Sequence, residues 1–265
     1  MRFKITLRVD KNAFGNKLPI SYQYELSAWI YGVIAQSDAL YAAWLHNNGF
    51  VKDNKQFRMF TYSNLFPRFK VIDDRLIILG DSLFMYLSFL PEKSTEEFVK
   101  GIFMENRFTI GDRKSKVQFQ VENIEVLPAP SFSLSDEFQA LSPVVVSTRR
   151  DDGSVEYLSP EREGYDAMLF NNLKEKYQAF TGTPFKGEEH FVFELLSPAK
   201  SRLITIKANT PAMTRVKGFL YQFKLKADKT LMNFMYEAGL GEKNATGFGM
   251  VENIEKDDYL LKGTS

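Results

Sequence analysis

Gly239-Leu240-Gly241-Glu242-Lys243-Asn244-Ala245-Thr246-Gly247-Phe248-Gly249 holds two Gly-hydrophobic-Gly units, with a lysine in the spacer between them. Glycine at this density lets a backbone take positive φ and approach a ligand closely, and successive N–H groups can face an anion. The segment fits neither usual nucleotide fingerprint. Phe248 follows Gly247 where a phosphate-binding G-x-x-x-x-G-K loop needs its lysine, and Asn244 stands at the third glycine of a G-x-G-x-x-G turn. It also lies between a predicted helix and a predicted strand, the reverse of the order that aims phosphates at a helix N-terminus. On local physics alone, Gly239 reads equally well as a residue ending a helix and the others as turn residues.

Upstream of the loop the charge is segregated. Lys200, Arg202, Lys207, Arg215, Lys217, Lys224, Lys226 and Lys229 share their stretch with a single acid, Asp228, whereas Asp151, Asp152, Glu156, Glu161, Glu163 and Asp166 crowd an earlier one. The net charge of +1 hides this strip. Such a strip can bind a polyanion locally, and equally it can be a solvated lysine face. Phe219, Tyr221, Phe223 and Leu225 alternate with Leu220, Gln222, Lys224 and Lys226, which predicts a strand with one apolar face. Asp228 caps a short helix through Leu231, Phe234 and Met235, and a last strand is expected over 248–254.

Further out, the second half predicts a strand at 144–147, a helix opened by Ser159-Pro160 with Tyr165, Leu169, Leu173 and Tyr177 on one side, and strands at 190–196 and 203–207. The first half reads similarly. A strand covers 2–9, with Phe3, Ile5, Leu7 and Val9 on one face. A helix follows over 22–35, and a second, with Ser37 as N-cap, stops near Gly49. Four strands, a helix opened by Ser94/Thr95 and a long strand from Val117 to Val126 complete it. Leu127-Pro128-Ala129-Pro130-Ser131 breaks the pattern. The expectation is an α+β protein of two tandem ferredoxin-like (RRM-like) domains, over 1–127 and 143–265, joined by a linker at 128–142. The repetition is one of pattern, not of residues.

Composition narrows the function. With 265 residues and 44% hydrophobic content, two cores are affordable, and 24 Phe with 12 Tyr suit strands. Cysteine is absent, which excludes disulfides, a cysteine nucleophile and thiolate metal sites. No apolar run approaches the ~20 residues that cross a bilayer, and the N-terminus lacks a signal-peptide block. The reading is a cytoplasmic protein without membrane contact.

The chain has two histidines. His190, after Glu188-Glu189, reads as structural or surface. His46 ends the second predicted helix, where the helix's negative end favours a charged imidazole. Lys52 lies just past Gly49, and Tyr31 lies on the preceding helix, so a helical hairpin could gather the three.

The glycine segment resembles the C-terminal G-h-G-x5-G-h-G signature (h, hydrophobic) of the RAMP superfamily, in particular the CRISPR-associated endoribonucleases that cut precursor transcripts into guide RNAs. Thr214-Arg215-Val216-Lys217-Gly218, the basic strand, the short helix and the glycine loop follow the order of that family. The resemblance implies paired ferredoxin-like domains, a CRISPR repeat RNA as partner and, left open, an effector complex and a second copy of the chain. It implies a catalytic Tyr/His/Lys set matching Tyr31, His46 and Lys52, with Tyr22, Tyr24 and Tyr41 competing for the tyrosine and Lys55 and Arg58 for the lysine. In this scheme His46 is the general acid, Lys52 stabilises charge, and Tyr31 is the base or orients the sugar. The RNA's own 2′-OH attacks, no metal or other cofactor is needed, and the products end in 5′-OH and 2′,3′-cyclic phosphate. The expected RNA contacts are Lys207, Arg215, Lys217, Lys224, Lys226 and Lys243, with Gly239, Gly241, Gly247 and Gly249. The alternatives are a non-cleaving RAMP subunit that coats guide RNA, and a small-ligand or protein-interaction module.

Overall fold

The structure, a computed structural model, describes residues 1–208 and 210–254. The end of the second expected domain, 255–265, lies outside the described residues. The first half runs β1 (Arg2–Asp10), α1 (Lys11–Phe14), β2 (Lys17–Pro19), α2 (Gln23–Ser37), α3 (Ala39–Asn47), β3 (Phe50–Lys52), β4 (Lys55–Phe57), β5 (Phe60–Tyr62), β6 (Phe69–Ile72), β7 (Arg75–Ile78), β8 (Ser82–Phe89), α4 (Glu92–Met104), β9 (Arg107–Gly111) and β10 (Lys116–Leu127). The second runs β11 (Ser135–Ala140), β12 (Ser147–Arg149), β13 (Val155–Tyr157), α5 (Tyr165–Thr181), β14 (Val192–Leu195), β15 (Lys200–Ile206), β16 (Thr214–Leu220), β17 (Gln222–Lys226), α6 (Lys229–Ala238) and β18 (Val251–Asn253).

Both halves build the same unit. The first sheet has the order β5-β8-β1-β10-β9 and the second β14-β17-β11-β18. With β9 set aside as an added edge, each is a βαββαβ arrangement whose first strand lies between the third and the fourth, the ferredoxin-like order. Alternation puts Phe3, Ile5, Leu7 and Val9 of β1 into one core, where they meet Leu26, Ile30, Val33 and Ile34 of α2 and Phe98 and Ile102 of α4. In the second core Phe138 of β11 and Phe223 and Leu225 of β17 meet Leu169 and Leu173 of α5 and Met232 and Met235 of α6.

Several expectations change; α5, for one, begins at Tyr165 after Gly164 and is not opened by Ser159-Pro160. The second unit's first strand is β11, inside the stretch read as linker, while Val144 makes only an isolated bridge to Phe219. Ser135-Asp136-Glu137-Phe138-Gln139-Ala140 is too polar to read as a core strand, and Asp136 is nevertheless buried because it accepts from Ser133 N at 2.7 Å and from Asn253 Nδ2 at 3.4 Å. The alternation from Phe219 to Leu225 is unbroken, yet it serves two sheets: β16 pairs with β15 in a separate hairpin, and β17 pairs with β11 and β14. The N-cap of α3 is Asp38, whose carboxylate accepts from Tyr41 N at 2.8 Å, while the Ser37 hydroxyl donates to Glu97.

The halves are joined by a buried charge. Arg2 is 3% exposed. Its guanidinium donates to Glu252 Oε2 at 2.6 Å, Val251 O at 2.9 Å and Tyr236 O at 2.5 Å, and lies 3.4 Å from the Tyr236 ring centre. The Tyr236 hydroxyl completes the network with Glu252 Oε1 at 2.6 Å. Among the described residues no helix is long and apolar enough to cross a membrane.

Candidate functional site

Between the two ferredoxin-like units opens a cavity of about 980 Å³, walled by α2, α3 and the β4 region on one side and by β12, β13, α5 and the glycine loop on the other. Tyr31 of α2 and His46 of α3 meet at its edge with ring centres 5.1 Å apart, edge to face. The hairpin of α2 and α3 makes this meeting, because Asp38 breaks one helix and caps the next. His46 is exposed in the last turn of α3, and its Nδ1 lies 3.0 Å from Asn47 Oδ1. Among the described residues its Nε2 has no hydrogen-bond partner. Tyr31 packs edge-on against Phe60 at 5.4 Å, and this burial pushes its hydroxyl up to about 12, against the pull of the nearby Arg58 charge. It is therefore a neutral phenol at neutral pH, able to donate a hydrogen bond and poor as a base. His190 is exposed and does not line the cavity.

Lys52 closes the β3–β4 turn, where its ammonium pairs with Asp53 at 2.6 Å, and it does not reach the cavity wall. Lys55 lines the cavity but is paired with Glu175 of α5 at 2.6 Å. Arg58 lines it too, donates to the backbone carbonyl of His46 and to Gln56 Oε1, and has no carboxylate partner among the described residues. Across the cavity Arg149 and Lys243 are likewise without an ion pair among the described residues. Against these cations the cavity wall sets the carboxylate of Glu242, and the balance is positive.

The glycine loop is placed differently from the sequence expectation. Gly239, Gly241, Gly247 and Gly249 are all buried and all have positive φ. A Cβ on Gly241 would stand 2.4 Å from Val145 O, one on Gly249 1.9 Å from Leu240 O, and one on Gly247 2.9 Å from the Tyr62 ring. The close approach that glycine permits is thus to the protein's own backbone and side chains, and the four glycines are not open to a ligand. Ser27 donates to Ala245 O at 2.6 Å and Thr61 to Phe248 O at 3.0 Å, so the first unit holds the loop of the second. What the loop offers the cavity is the spacer, with Lys243 exposed.

Lys176 of α5 is the residue that sequence reasoning missed. It is 2% exposed, and its ammonium donates to Gly239 O at 2.8 Å, Gly241 O at 2.5 Å and Asn244 Oδ1 at 2.6 Å. Burial pulls this lysine down to about 7, opposed by Glu242. The available signal was a lysine on the apolar stripe of Leu169 and Leu173, at helical spacing.

The basic strip divides. Arg215 and Lys217 are exposed on β16, on the face opposite Val216, whose side chain packs inward with Ile204, Val145 and Phe248. Lys207 follows the end of β15, with its ammonium 5.9 Å from the ring of Tyr24, a cavity residue. Lys224 sits in register between Glu137 and Glu194 on the sheet face that turns away from α5 and α6, and Lys226 shares that face. Neither is brought to the cavity, and the flanking glutamates offset the charge of Lys224.

Comparison with known proteins places this geometry. Residues 17–125 match the family model "CRISPR-associated protein Cas6, N-terminal" and residues 127–253 match "CRISPR associated protein Cas6, C-terminal". The chain is 31% identical to "CRISPR-associated endoribonuclease Cas6 1" of Methanocaldococcus jannaschii over 99% of this chain and 96% of that one. A solved structure of a Cas6-related protein from Pyrococcus furiosus superposes with a TM-score of 0.82 at 27% identity, covering 97% of this chain and 99% of the other. A second, described as "An RAMP protein binding different RNA substrates", gives 0.81 at 25% identity over 96% and 99%.

Proposed function

The chain belongs to the Cas6 family of CRISPR-associated endoribonucleases, and we propose that it binds a CRISPR repeat RNA in the cavity between its two units and cuts the precursor transcript beside Tyr31 and His46. The observation that carries this reading is the Tyr31–His46 pair, opening on a large cavity whose cations Arg58, Arg149 and Lys243 lack carboxylate partners among the described residues.

The RNA supplies the nucleophile. The ribose 2′ hydroxyl gives up its proton to solvent as its oxygen attacks phosphorus, the bond from phosphorus to the 5′ oxygen breaks, and His46 hands its proton to that departing oxygen. The neutral Tyr31 hydroxyl donates a hydrogen bond that orients the ribose or the phosphate. Lys52, paired with Asp53 on the β3–β4 turn, has to leave that partner and turn to the cavity to act as the cation that stabilises the developing negative charge. Arg149, Lys243 and Lys207 hold phosphates without reading bases. The fragments end in 2′,3′-cyclic phosphate and 5′-OH, with no metal taking part, and the reaction belongs to the cytoplasm. Delivery of the guide to an effector complex belongs to the same proposal.

The test is incubation of the protein with a cognate repeat RNA in EDTA. One discrete cut is expected, lost with a 2′-deoxy substitution at the cut site. RNA left intact at saturating protein would mean a binder without this chemistry.

A further inference from the structure

We propose that Tyr24 is a stacking platform for one unpaired base of the RNA, with Lys207 on the adjoining phosphate, a subsite that rests on the reading that the RNA lies in the cavity between the units. Tyr24 is half-buried and lines that cavity, as do Ser27, Ala28 and Tyr31. Positions 24, 28 and 31 recur at helical spacing and so share one face of α2. Tyr24 lies about 10 Å along the helix axis from Tyr31. A base held there belongs to a neighbour of the cut nucleotide. Between the two rings the wall carries only the short side chains of Ser27 and Ala28.

The fold leaves this ring unspent. Tyr22, just before the helix, is buried and its hydroxyl accepts from Leu65 N at 2.7 Å. The Tyr24 hydroxyl has no hydrogen-bond partner among the described residues, and no other ring packs against it there. Its neighbour is the Lys207 ammonium, 5.9 Å from the ring centre, at the outer limit of a cation–π contact. Lys207 has no carboxylate partner among the described residues, so its ammonium is free to take a phosphate instead. The backbone puts it there: Thr205 N donates to Ser21 Oγ at 3.1 Å, which ties the end of β15 to the approach to α2. Lys207 itself has a φ of +51°, a conformation costly for a residue other than glycine and concentrated at functional sites, and its carbonyl accepts from the Thr210 hydroxyl at 2.8 Å. Beside it Ile206 also lines the cavity and packs with Tyr157 on the Val145–Phe248 cluster, making this end of the wall apolar. An aromatic face, an apolar flank and an unpaired cation hold single-stranded nucleotides whatever their base. A base within a duplex is already stacked on both sides, so this platform takes a nucleotide outside any duplex.

The experiment is a binding titration by fluorescence anisotropy. The probe is a cognate repeat RNA kept whole by a 2′-deoxy substitution at the cut site, with a single abasic site moved one position at a time across the cut. Tyr24→Ala is expected to weaken binding about 10-fold or more, and Tyr24→Phe, which keeps the ring, to recover most of that loss. In the parent one abasic position should cost a similar factor. In Tyr24→Ala the same position should cost less than about twofold, because ring and base form one contact. Lys207→Ala should lower the slope of log affinity against log salt by about 0.7 and leave the abasic penalty in place. Equal losses in Tyr24→Ala and Tyr24→Phe, or no abasic position coupled to Tyr24, would overturn the proposal. Should Tyr24→Ala not fold, Tyr24→Leu removes the aromatic face and carries the same cycle. If Lys207→Ala and Lys243→Ala leave affinity untouched as well, the RNA lies outside the cavity and the site falls with its subsite. A retained Lys243→Ala effect confines the failure to the subsite.

Discussion

At the residue scale, Lys176 and His46 show opposite uses of a positive charge. Lys176 is enclosed, with three oxygens around one ammonium, and only the protonated amine has three hydrogens to give them. Burial nevertheless draws its proton affinity down to about 7, from 10.5. A base whose folded value is depressed leaves the folded state with fewer protons than the unfolded state between these two values, so stability rises with pH across that window. The expected result is a stability difference between the parent and Lys176→Met that grows above pH of about 7 by up to about 1.4 kcal/mol per pH unit, read by urea unfolding at several pH values. A difference that does not change with pH would mean that the three oxygens keep the proton in place. His46 is exposed and does no such structural work. His46→Ala is expected to slow single-turnover cleavage by about 100-fold or more while leaving RNA affinity and melting temperature close to the parent's. A variant that cuts at the parent rate would remove His46 from the mechanism.

At the element scale the glycine loop is anchored within its own unit and held from the other by Ser27 and Thr61. Leu240 N bonds Gly249 O, Glu242 N bonds Val145 O and Gly249 N bonds Pro143 O, each within 2.9 Å. Gly249→Ala meets both a positive φ of 73° and a carbonyl at 1.9 Å, and a destabilisation of about 2–3 kcal/mol is expected. Differential scanning calorimetry should show a clearly lower melting temperature, with RNA affinity of the folded fraction preserved. An unchanged melting temperature with lost affinity would return the glycine to the RNA surface. The sequence made the loop visible because its spacing is distinctive, but spacing does not say which surface the glycines approach. The helical hairpin was legible for a simpler reason: Leu26, Ile30, Val33 and Ile34 follow the helical period, and Gly49 stops the second helix. β11 was hidden because its burial depends on long-range pairing and on Asp136 finding partners, neither of which leaves a local pattern. Lys224 misled similarly, since Glu137 and Glu194 come beside it only through strand register.

At the scale of the whole molecule, two like units hold an unlike pair of walls: one carries Tyr31, His46 and Arg58, the other Arg149, Lys176 and Lys243. Their relation depends on the Arg2 network. Removing one member of a buried ion pair strands the other, so Arg2→Met is expected to lose about 3–5 kcal/mol in denaturant unfolding and to slow cleavage by loosening the cavity. Unfolding at the parent midpoint would show the network to be dispensable. The field of the cavity predicts salt behaviour as well. Lys243→Ala should lower the slope of log affinity against log salt by about 0.7, the single-strand value for one phosphate contact, and Lys224→Ala should leave it unchanged. Equal effects at both positions would mean that the RNA follows the sheet face instead. The account stands most directly on the chemistry of the ends that cleavage leaves. Mass spectrometry of the fragments formed from a repeat RNA in EDTA should find a 2′,3′-cyclic phosphate on one and a free 5′-hydroxyl on the other. A 5′-phosphate facing a 3′-hydroxyl would mean that water, not the ribose, attacked, and would contradict it.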